Sequence, residues 1–472
     1  MRAHEAGALH ADINHRGPSW LPEPRDVNAL VPLLWSTSAR KNLDGALEVG
    51  GVDLRDVVAE HGSPAYILDE ADFRTRAAAF RDAFADYAVF YAGKAFLCTT
   101  VARWIAEEGL SLDVCSAGEL AVALRAGFDP SRMGYHGNNK TVDELRRAVQ
   151  AGVGRIIVDS FHEIDRLVAL TSEAGREAGV MVRVTAGVEA HTHEYIATAH
   201  EDQKFGFSIT SGDAFEAVRR ILDTPRLQLL GLHSHIGSQI FDTSGFEVAA
   251  RRVLTLHARV SRELGVDMEE MDLGGGFGIA YTSQDDPADP AQLAQEITTI
   301  VEHECRAFGV AVPALSIEPG RAIVGPSVCT IYEVGTVKEV ALDAGAARTY
   351  VSVDGGMSDN IRTALYDADY SCTLASRRST AAPVLGRVVG KHCEAGDILV
   401  KDEFVPGDIA PGDLLAIPGT GAYCRSMASN YNHALRPPVI AVREGAATVV
   451  LRRETEDDLL RTDVGPHGGV RR

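Results

Sequence analysis

The chain predicts an α/β fold: a (β/α)8 TIM-type barrel followed by a mainly β C-terminal domain, a Greek-key-like barrel or sandwich. Three observations carry that expectation. Between about Ala65 and Val324, apolar runs rich in β-branched residues alternate with amphipathic stretches, the rhythm of repeated βα units around a parallel sheet. About eight candidate strands fall in this region, the number that closes such a barrel. Beyond about Pro326 the pattern changes to short alternating runs with Gly and Pro turns, which reads as β structure.

Taken in order, the candidate barrel strands end at Tyr91–Lys94, Leu112–Cys115, Gly134–Gly137, Ile156–Asp159, Val182–Ala186, Leu230–His235, Met271–Gly274 and Leu315–Glu318. Helical spacing of apolar residues marks Gly118–Leu124, Thr141–Val149 and Val248–Leu264 between them. The polar stretch Glu189–Gly206 breaks the rhythm, and such insertions usually sit on the functional face of a barrel. Later runs at Thr330–Val337, Thr349–Val353, Asp397–Val400, Leu414–Ile417, Val439–Val442 and Ala447–Leu451 are short strands. Asn28–His61 offers this sheet a first strand. The expected division is therefore 1–64 as N-terminal extension and first strand or strands of the β domain, 65–326 as barrel, and 327–472 as β domain, with Thr462–Arg472 a loose tail.

At 472 residues the chain is long enough for two or three domains and a sizeable core. It carries 66 acidic against 46 basic residues, a net charge of -20 that repels nucleic acid and anionic membranes. Hydrophobic content of 45% with 24% charged residues suits a soluble globular enzyme, and no apolar run is long enough to span a bilayer. Seven scattered cysteines without a C-x-x-C pair exclude a disulfide scaffold or zinc ribbon. The first residues lack the charged-then-apolar order of a signal peptide, so the cytoplasm is the expected compartment.

Polar residues gather where barrel strands end: Lys94, Asp113, His136, Asp159, His235, the run Gly274–Gly278, and Glu318 with Arg321. Those ends converge on one face of a barrel, where catalysis is found. Lys94 closes an apolar strand, where burial favours Schiff-base chemistry, although a lysine reaching the rim has the same signature. Gly274, Gly275 and Gly276 can offer backbone N–H groups to a phosphate or simply make a tight turn. His235 can stack on a planar ring and Ser238 can bind a phosphate, while a satisfied core histidine is the plainer reading. In Glu318-Pro319-Gly320-Arg321, a strand-end carboxylate can hold a protonated pyridine nitrogen and the turn can aim a guanidinium at an anion; a structural ion pair is the alternative. Together these groups describe a pyridoxal phosphate site.

In Tyr91–Phe96, Leu112–Leu120, Tyr135–Lys140, Lys204–Phe207, Gly231–Gln239, Asp272–Gly278, Glu318–Pro326, Asp354–Tyr366, His392–Asp397 and Gly419–Asn432, in that order, the chain resembles the fold-type III pyridoxal phosphate decarboxylases and, among them, the diaminopimelate decarboxylase family. Two departures are local: Phe96 stands where many relatives have Asn, and Ala186 precedes Gly187 where Pro is common. The resemblance implies conversion of meso-2,6-diaminopimelate to L-lysine and carbon dioxide, the last step of lysine biosynthesis, by an aldimine and quinonoid mechanism. It implies that Lys94 carries the cofactor, His235 stacks on its ring, Glu318 faces its pyridinium, and Cys393 returns the proton to the substrate carbon. Cofactor contacts would come from Asp113, Ser238, Gly274, Gly275, Gly276, Pro319, Gly320, Arg321 and Tyr423. Substrate contacts would come from Arg321, Arg362, Tyr366, Glu394 and Tyr423. It also implies a homodimer with shared active sites.

Charge counting supports the same substrate. The distal end of a diamino dicarboxylic acid presents a carboxylate and an ammonium, matched by Arg321 and Arg362 on one side and Glu394 on the other. Ornithine or arginine decarboxylation would need no paired arginines. The rivals are a related basic amino-acid decarboxylase and an inactive, cofactor-binding regulatory homologue, the latter disfavoured by the presence of both Lys94 and Cys393. His191, His193 and His200 include an H-x-H ligand spacing, but no partner motif accompanies them and no metal is expected.

Overall fold

The computed structural model describes residues 18, 20–185, 204–341 and 347–465. The polar insertion Glu189–Gly206 lies mostly outside them, as do Ala186, Gly187, His191, His193, His200 and residues 466–472. The described residues form two compact units. One draws on Met1–Phe73, Ala280–Asp285 and Val324–Arg472, the other on Arg74–Ile279 and Asp286–Ile323.

The first unit begins with a small antiparallel sheet of β1 (Arg40–Lys41), β2 (Leu47–Val49) and β3 (Val52–Asp53). Asp53 then caps the helix Leu54–His61 by accepting the Arg55 N–H, and β4 (Ala65–Asp69) follows with all five residues buried.

The second unit holds β5 (Tyr87–Ala92), β6 (Ser111–Val114), β7 (Met133–Tyr135), β8 (Arg155–Val158), β9 (Ala178–Thr185), β10 (Phe207–Ser208), β11 (Leu227–His233), β12 (Glu270–Asp272) and β13 (Ala314–Ile317). All pairings are parallel; β8 pairs with β9 and β13 returns to β5, so eight strands close a ring, with β10 added beside β9. These are the eight strands expected from the sequence. Each ends one or two residues earlier than expected, because the terminal polar and glycine residues leave the ladder: Gly137 and Gly274, for example, sit at φ 130° and 71°, which extended pairing cannot use. Helices alternate with the strands. Thr141 and Glu144 form a reciprocal capping box on Val142–Ala151, and Gly152 in the left-handed region ends it.

The first unit is completed by β14 (Val328–Ala341), β15 (Ala347–Val353), β16 (Thr373–Leu374), β17 (Pro383–Val389), β18 (Ile398–Pro406), β19 (Leu414–Ile417), β20 (Val439–Arg443) and β21 (Ala446–Leu451). Their order is β18-β17-β15-β14-β4-β20-β21, with β19 bridging β14 and β16. Here the structure differs from the sequence reading. The strand that enters this sheet from the N-terminal region is β4, between β14 and β20, not one within Asn28–His61. A short, fully apolar run looks the same in a barrel and in the centre of another sheet, so its periodicity could not say which sheet it joins. Beneath it, Leu34, Trp35, Leu47, Ile67, Ile331 and Ile440 share one core.

Inside the barrel unit, Lys140 and Glu163 form a buried ion pair at 2.7 Å, and Lys140 Nζ also donates to the carbonyls of Gly137 (2.8 Å) and Ile157 (2.6 Å). Burial pushes the lysine down and the carboxyl up, each countered by the other's charge. Removing one partner strands the other in a dry site. Lys140→Met should therefore cost about 3 kcal/mol or more in thermal melting, and adding Glu163→Leu should restore much of the loss. A single variant that melts with the wild type would show that the pair contributes nothing.

Candidate active site

At the C-terminal ends of the barrel strands lies a cavity of about 290 Å³, lined by Lys94, Asp113, His136, Arg183, His235 and Glu318 among others. Parallel closure places them there: Lys94 follows β5, Asp113 ends within β6, His136 follows β7, Arg183 lies in β9, His235 follows β11 and Glu318 follows β13. Lys94, Asp113, His235 and Glu318, separately singled out from the sequence, thus meet on one wall. Of the two readings of Lys94, the rim placement is the one the structure has: the lysine is exposed, because β5 ends at Ala92 and it sits on the turn beyond.

Glu318 is the hub of the buried polar groups. Its Oε1 lies 2.8 Å from His233 Nε2 and 3.3 Å from His136 Nε2, and the latter is 3.1 Å from Asp113 Oδ1. His233 is fully buried and its Nδ1 has no hydrogen-bond partner. The proton therefore belongs on Nε2, where it donates to Glu318, since an idle acceptor costs less than an idle donor. Burial holds this imidazole neutral, down to about 3, and pushes His136 and His235 well below the ordinary histidine range, with the Lys94 and Arg183 charges adding to the effect. Burial, reinforced by the Glu318 and Asp272 carboxylates, pushes Asp113 well above the usual carboxylate range. Asp272, raised by burial and by Glu318, accepts from Ser316 Oγ (2.7 Å) and the Gly274 N–H (2.8 Å).

The three loops beyond β11, β12 and β13 pack backbone to backbone. A Cβ on Gly274, Gly275 or Gly276 would meet the carbonyl oxygens of Ser234 (2.5 Å), Glu318 (2.3 Å) or Gly237 (2.7 Å). Within this floor the Gly275 N–H donates to His235 Nδ1 at 3.1 Å, and Arg321 donates to Ser238 Oγ at 2.8 Å. Pro319 O accepts the Ala92 N–H at 3.2 Å, and a Cβ on Gly320 would press on Ala92, so the Glu318–Arg321 turn is packed against the end of β5. Pyridoxal phosphate fits these residues: an accessible amine at Lys94, an imidazole at His235, a carboxylate at Glu318, a glycine floor without side chains, and a buried Asp113 Oδ2 that lacks a partner.

Arg362, Tyr366, Cys393, Glu394 and Tyr423 belong to the other unit. Arg362 opens the short helix Arg362–Tyr366; it is buried, donates to Tyr370 Oη at 2.6 Å and lies 4.4 Å from the Tyr281 ring. Cys393 and Glu394 are exposed, while Tyr366 and Tyr423 are half-buried, the latter at φ 60°.

His233, Arg183 and Asp272 are site residues that the sequence reading did not select. For His233 a signal exists in the sequence: it lies two residues before the strand-end His235, and residues i and i+2 of a strand point to one side. His136, His233 and Glu318 also bring three ligand-type atoms within 4.8 Å of one another. His233 is hydrogen-bonded to Glu318 at 2.8 Å, and His136 Nε2 lies 3.3 Å from the same oxygen.

Residues 70–325 match the family described as pyridoxal-dependent decarboxylase, pyridoxal binding domain. Proteins named diaminopimelate decarboxylase from Mycobacterium tuberculosis strain H37Rv and Bacillus subtilis are 56% and 43% identical to this chain over 440 and 438 residues, covering 92% of it in both cases and 98% and 99% of themselves. The solved diaminopimelate decarboxylase of M. jannaschii in complex with L-lysine aligns with a TM-score of 0.84 at 29% identity, over 91% of this chain and 98% of its own. Similarity of that extent, running through both units and through the cavity wall, shows that the chain belongs to the diaminopimelate decarboxylase family of pyridoxal-dependent enzymes.

Proposed function

We propose that this chain decarboxylates meso-2,6-diaminopimelate to L-lysine and carbon dioxide, the last step of lysine biosynthesis. The observation that carries the reading is the convergence of Lys94, His235 and Glu318 on one cavity in a chain of this family. Pyridoxal phosphate, when bound, supplies an electron-poor conjugated ring that accepts the electron pair left as carbon dioxide departs. Lys94 offers the amine that holds the cofactor and gives way to the substrate's amine. Glu318, whose carboxylate is held by the neutral His233, would hold the cofactor's pyridine nitrogen, and His235 would lie against its ring. Ser238, Gly274, Gly275, Gly276 and the Pro319–Arg321 turn would hold the phosphate end, with Asp113 and Tyr423 as further cofactor contacts.

Arg321 and Arg362 receive the distal carboxylate of the substrate and Glu394 its ammonium, with Tyr366 and Tyr423 beside them. Cys393 delivers the proton to the reacting carbon. The chemistry is split between two units of different fold, which supports a homodimer in which the barrel of one subunit is served by the β unit of its partner. Among the described residues no helix is long and apolar enough to cross a membrane, and a small amino-acid substrate suits a cytoplasmic enzyme.

Lys94→Ala should lose the visible absorbance of bound cofactor and nearly all activity; an unchanged spectrum and rate would overturn its role. Across meso-diaminopimelate, lysine, ornithine and arginine, the wild type should act on the first and release L-lysine. Arg362→Met should lose about 2 kcal/mol of kcat/KM for diaminopimelate, roughly thirtyfold, by stranding the distal carboxylate. If that variant keeps its kcat/KM, or if ornithine is the substrate consumed, the charge-based specificity is wrong. Mixing inactive Lys94→Ala and Cys393→Ala subunits should restore roughly a quarter of wild-type activity, since random exchange makes roughly half the dimers mixed and each of those has one intact site of two. No recovery after demonstrated subunit exchange would exclude shared sites.

A further inference from the structure

Cys393 and Glu394 sit on an exposed loop, yet the residues flanking them are locked. Asp397 is 3% exposed, and its carboxylate accepts backbone N–H groups from two separate segments: Met357 to Oδ1 at 2.6 Å and His392 to Oδ2 at 2.8 Å. Its own N–H donates to Glu394 O at 3.0 Å, and its carbonyl accepts the Gly390 N–H at 2.9 Å. The carboxylate occupies space that two glycines leave free. A Cβ on Gly356 would meet Oδ1 at 2.7 Å, and one on Gly390 would meet Oδ2 at 2.2 Å.

The other flank is held as well. His392 Nε2 lies 2.8 Å from Ser358 Oγ, its Nδ1 lies 3.1 Å from Asn432 Oδ1, and the Lys391 N–H donates to Gly355 O at 3.0 Å. Residues 390–397 are thereby tied at both ends to residues 355–358, the segment that leads into the helix Arg362–Tyr366. That segment is itself anchored: the Gly356 N–H donates to Asp359 Oδ2 at 2.8 Å, and the Tyr332 hydroxyl, from β14, bonds Asp359 Oδ1.

We propose that Asp397 is a positioning residue, whose buried carboxylate bridges residues 355–358 and 390–397 and so sets Cys393 and Glu394 at a fixed distance from Arg362 and Tyr366. The inference rests on the roles given above to Cys393 and Glu394. It adds the reason that an exposed loop can present a proton donor reproducibly: misplacement by about 1 Å costs on the order of a hundredfold in rate. A carboxylate is required because it has two acceptor oxygens for two N–H groups, whereas an amide would turn an NH₂ toward one of them.

The experiment compares Asp397→Asn holoenzyme with wild type, with rates expressed per bound cofactor. The expected result is a fall in kcat of roughly tenfold or more, an unchanged cofactor content, a larger solvent deuterium isotope effect on kcat, and faster amide exchange at Met357 and His392. A purely structural role would lower the yield or melting temperature and leave kcat per loaded site and the isotope effect where they were; that result overturns the proposal. Should Asp397→Asn fail to fold, Gly390→Ala, which displaces the carboxylate but keeps its charge, decides by the same readouts. Cys393→Ala separates the two levels. If it leaves kcat unchanged, the proton-donor reading and this inference fall together; if it lowers kcat while Asp397→Asn does not, only the positioning role is lost.

Discussion

Pairing of β13 with β5 closes the barrel, and the cavity depends on that closure. Leu315 lies beside Tyr87 and Ile317 beside Val89, so both strands run out toward the same end of the ring, and Glu318, just past β13, and Lys94, on the turn past β5, line one cavity. The Pro319–Gly320 turn then lies against Ala92, with no side chain at Gly320 to push the two loops apart. A parallel ring delivers every strand end to one face, which is how groups far apart in the chain come to share one wall.

Having gathered several carboxylates in a dry space, the barrel must accommodate them. Asp113 and Asp272 are both pushed upward by burial and by Glu318, and three imidazoles are kept neutral by the same burial. The neutral His233 donates to Glu318 at 2.8 Å and orients that oxygen, with His136 Nε2 3.3 Å from it. The glycine floor serves the same economy of space, since its contacts are made by backbone carbonyls at distances no Cβ tolerates.

The β unit solves a different problem, that of presenting reactive side chains from loops. β14 runs through the sheet as its longest strand, pairing with β4, β15 and β19, and through Tyr332 it anchors the segment at Asp359. Burial raises Asp359 to about 7, against hydrogen bonds from Tyr332 and Gly356 that lower it. Asp397 and Asp359 are thus two buried carboxylates used as anchors for backbone amides, at the base of the exposed Cys393 and Glu394. Arg362, in contrast, is held from its own unit by Tyr370 and Tyr281.

By itself the sequence determined the eightfold strand–helix rhythm, the β character of the region beyond residue 326, and the residue types needed for the chemistry, because periodicity and strand-end polarity are local properties. Lys94, Asp113, His235 and Glu318 were legible as strand-end groups for that reason. Which sheet would take Ala65–Asp69 was not, since a fully buried strand carries no mark of its partners. Nor were the choice between a buried and a rim placement of Lys94, the pairing of His233 with Glu318, or the two amides that converge on Asp397. Those depend on distances between segments remote in the chain, and only the tertiary structure decides them, because burial and hydrogen-bond partners are set by the neighbours that folding supplies.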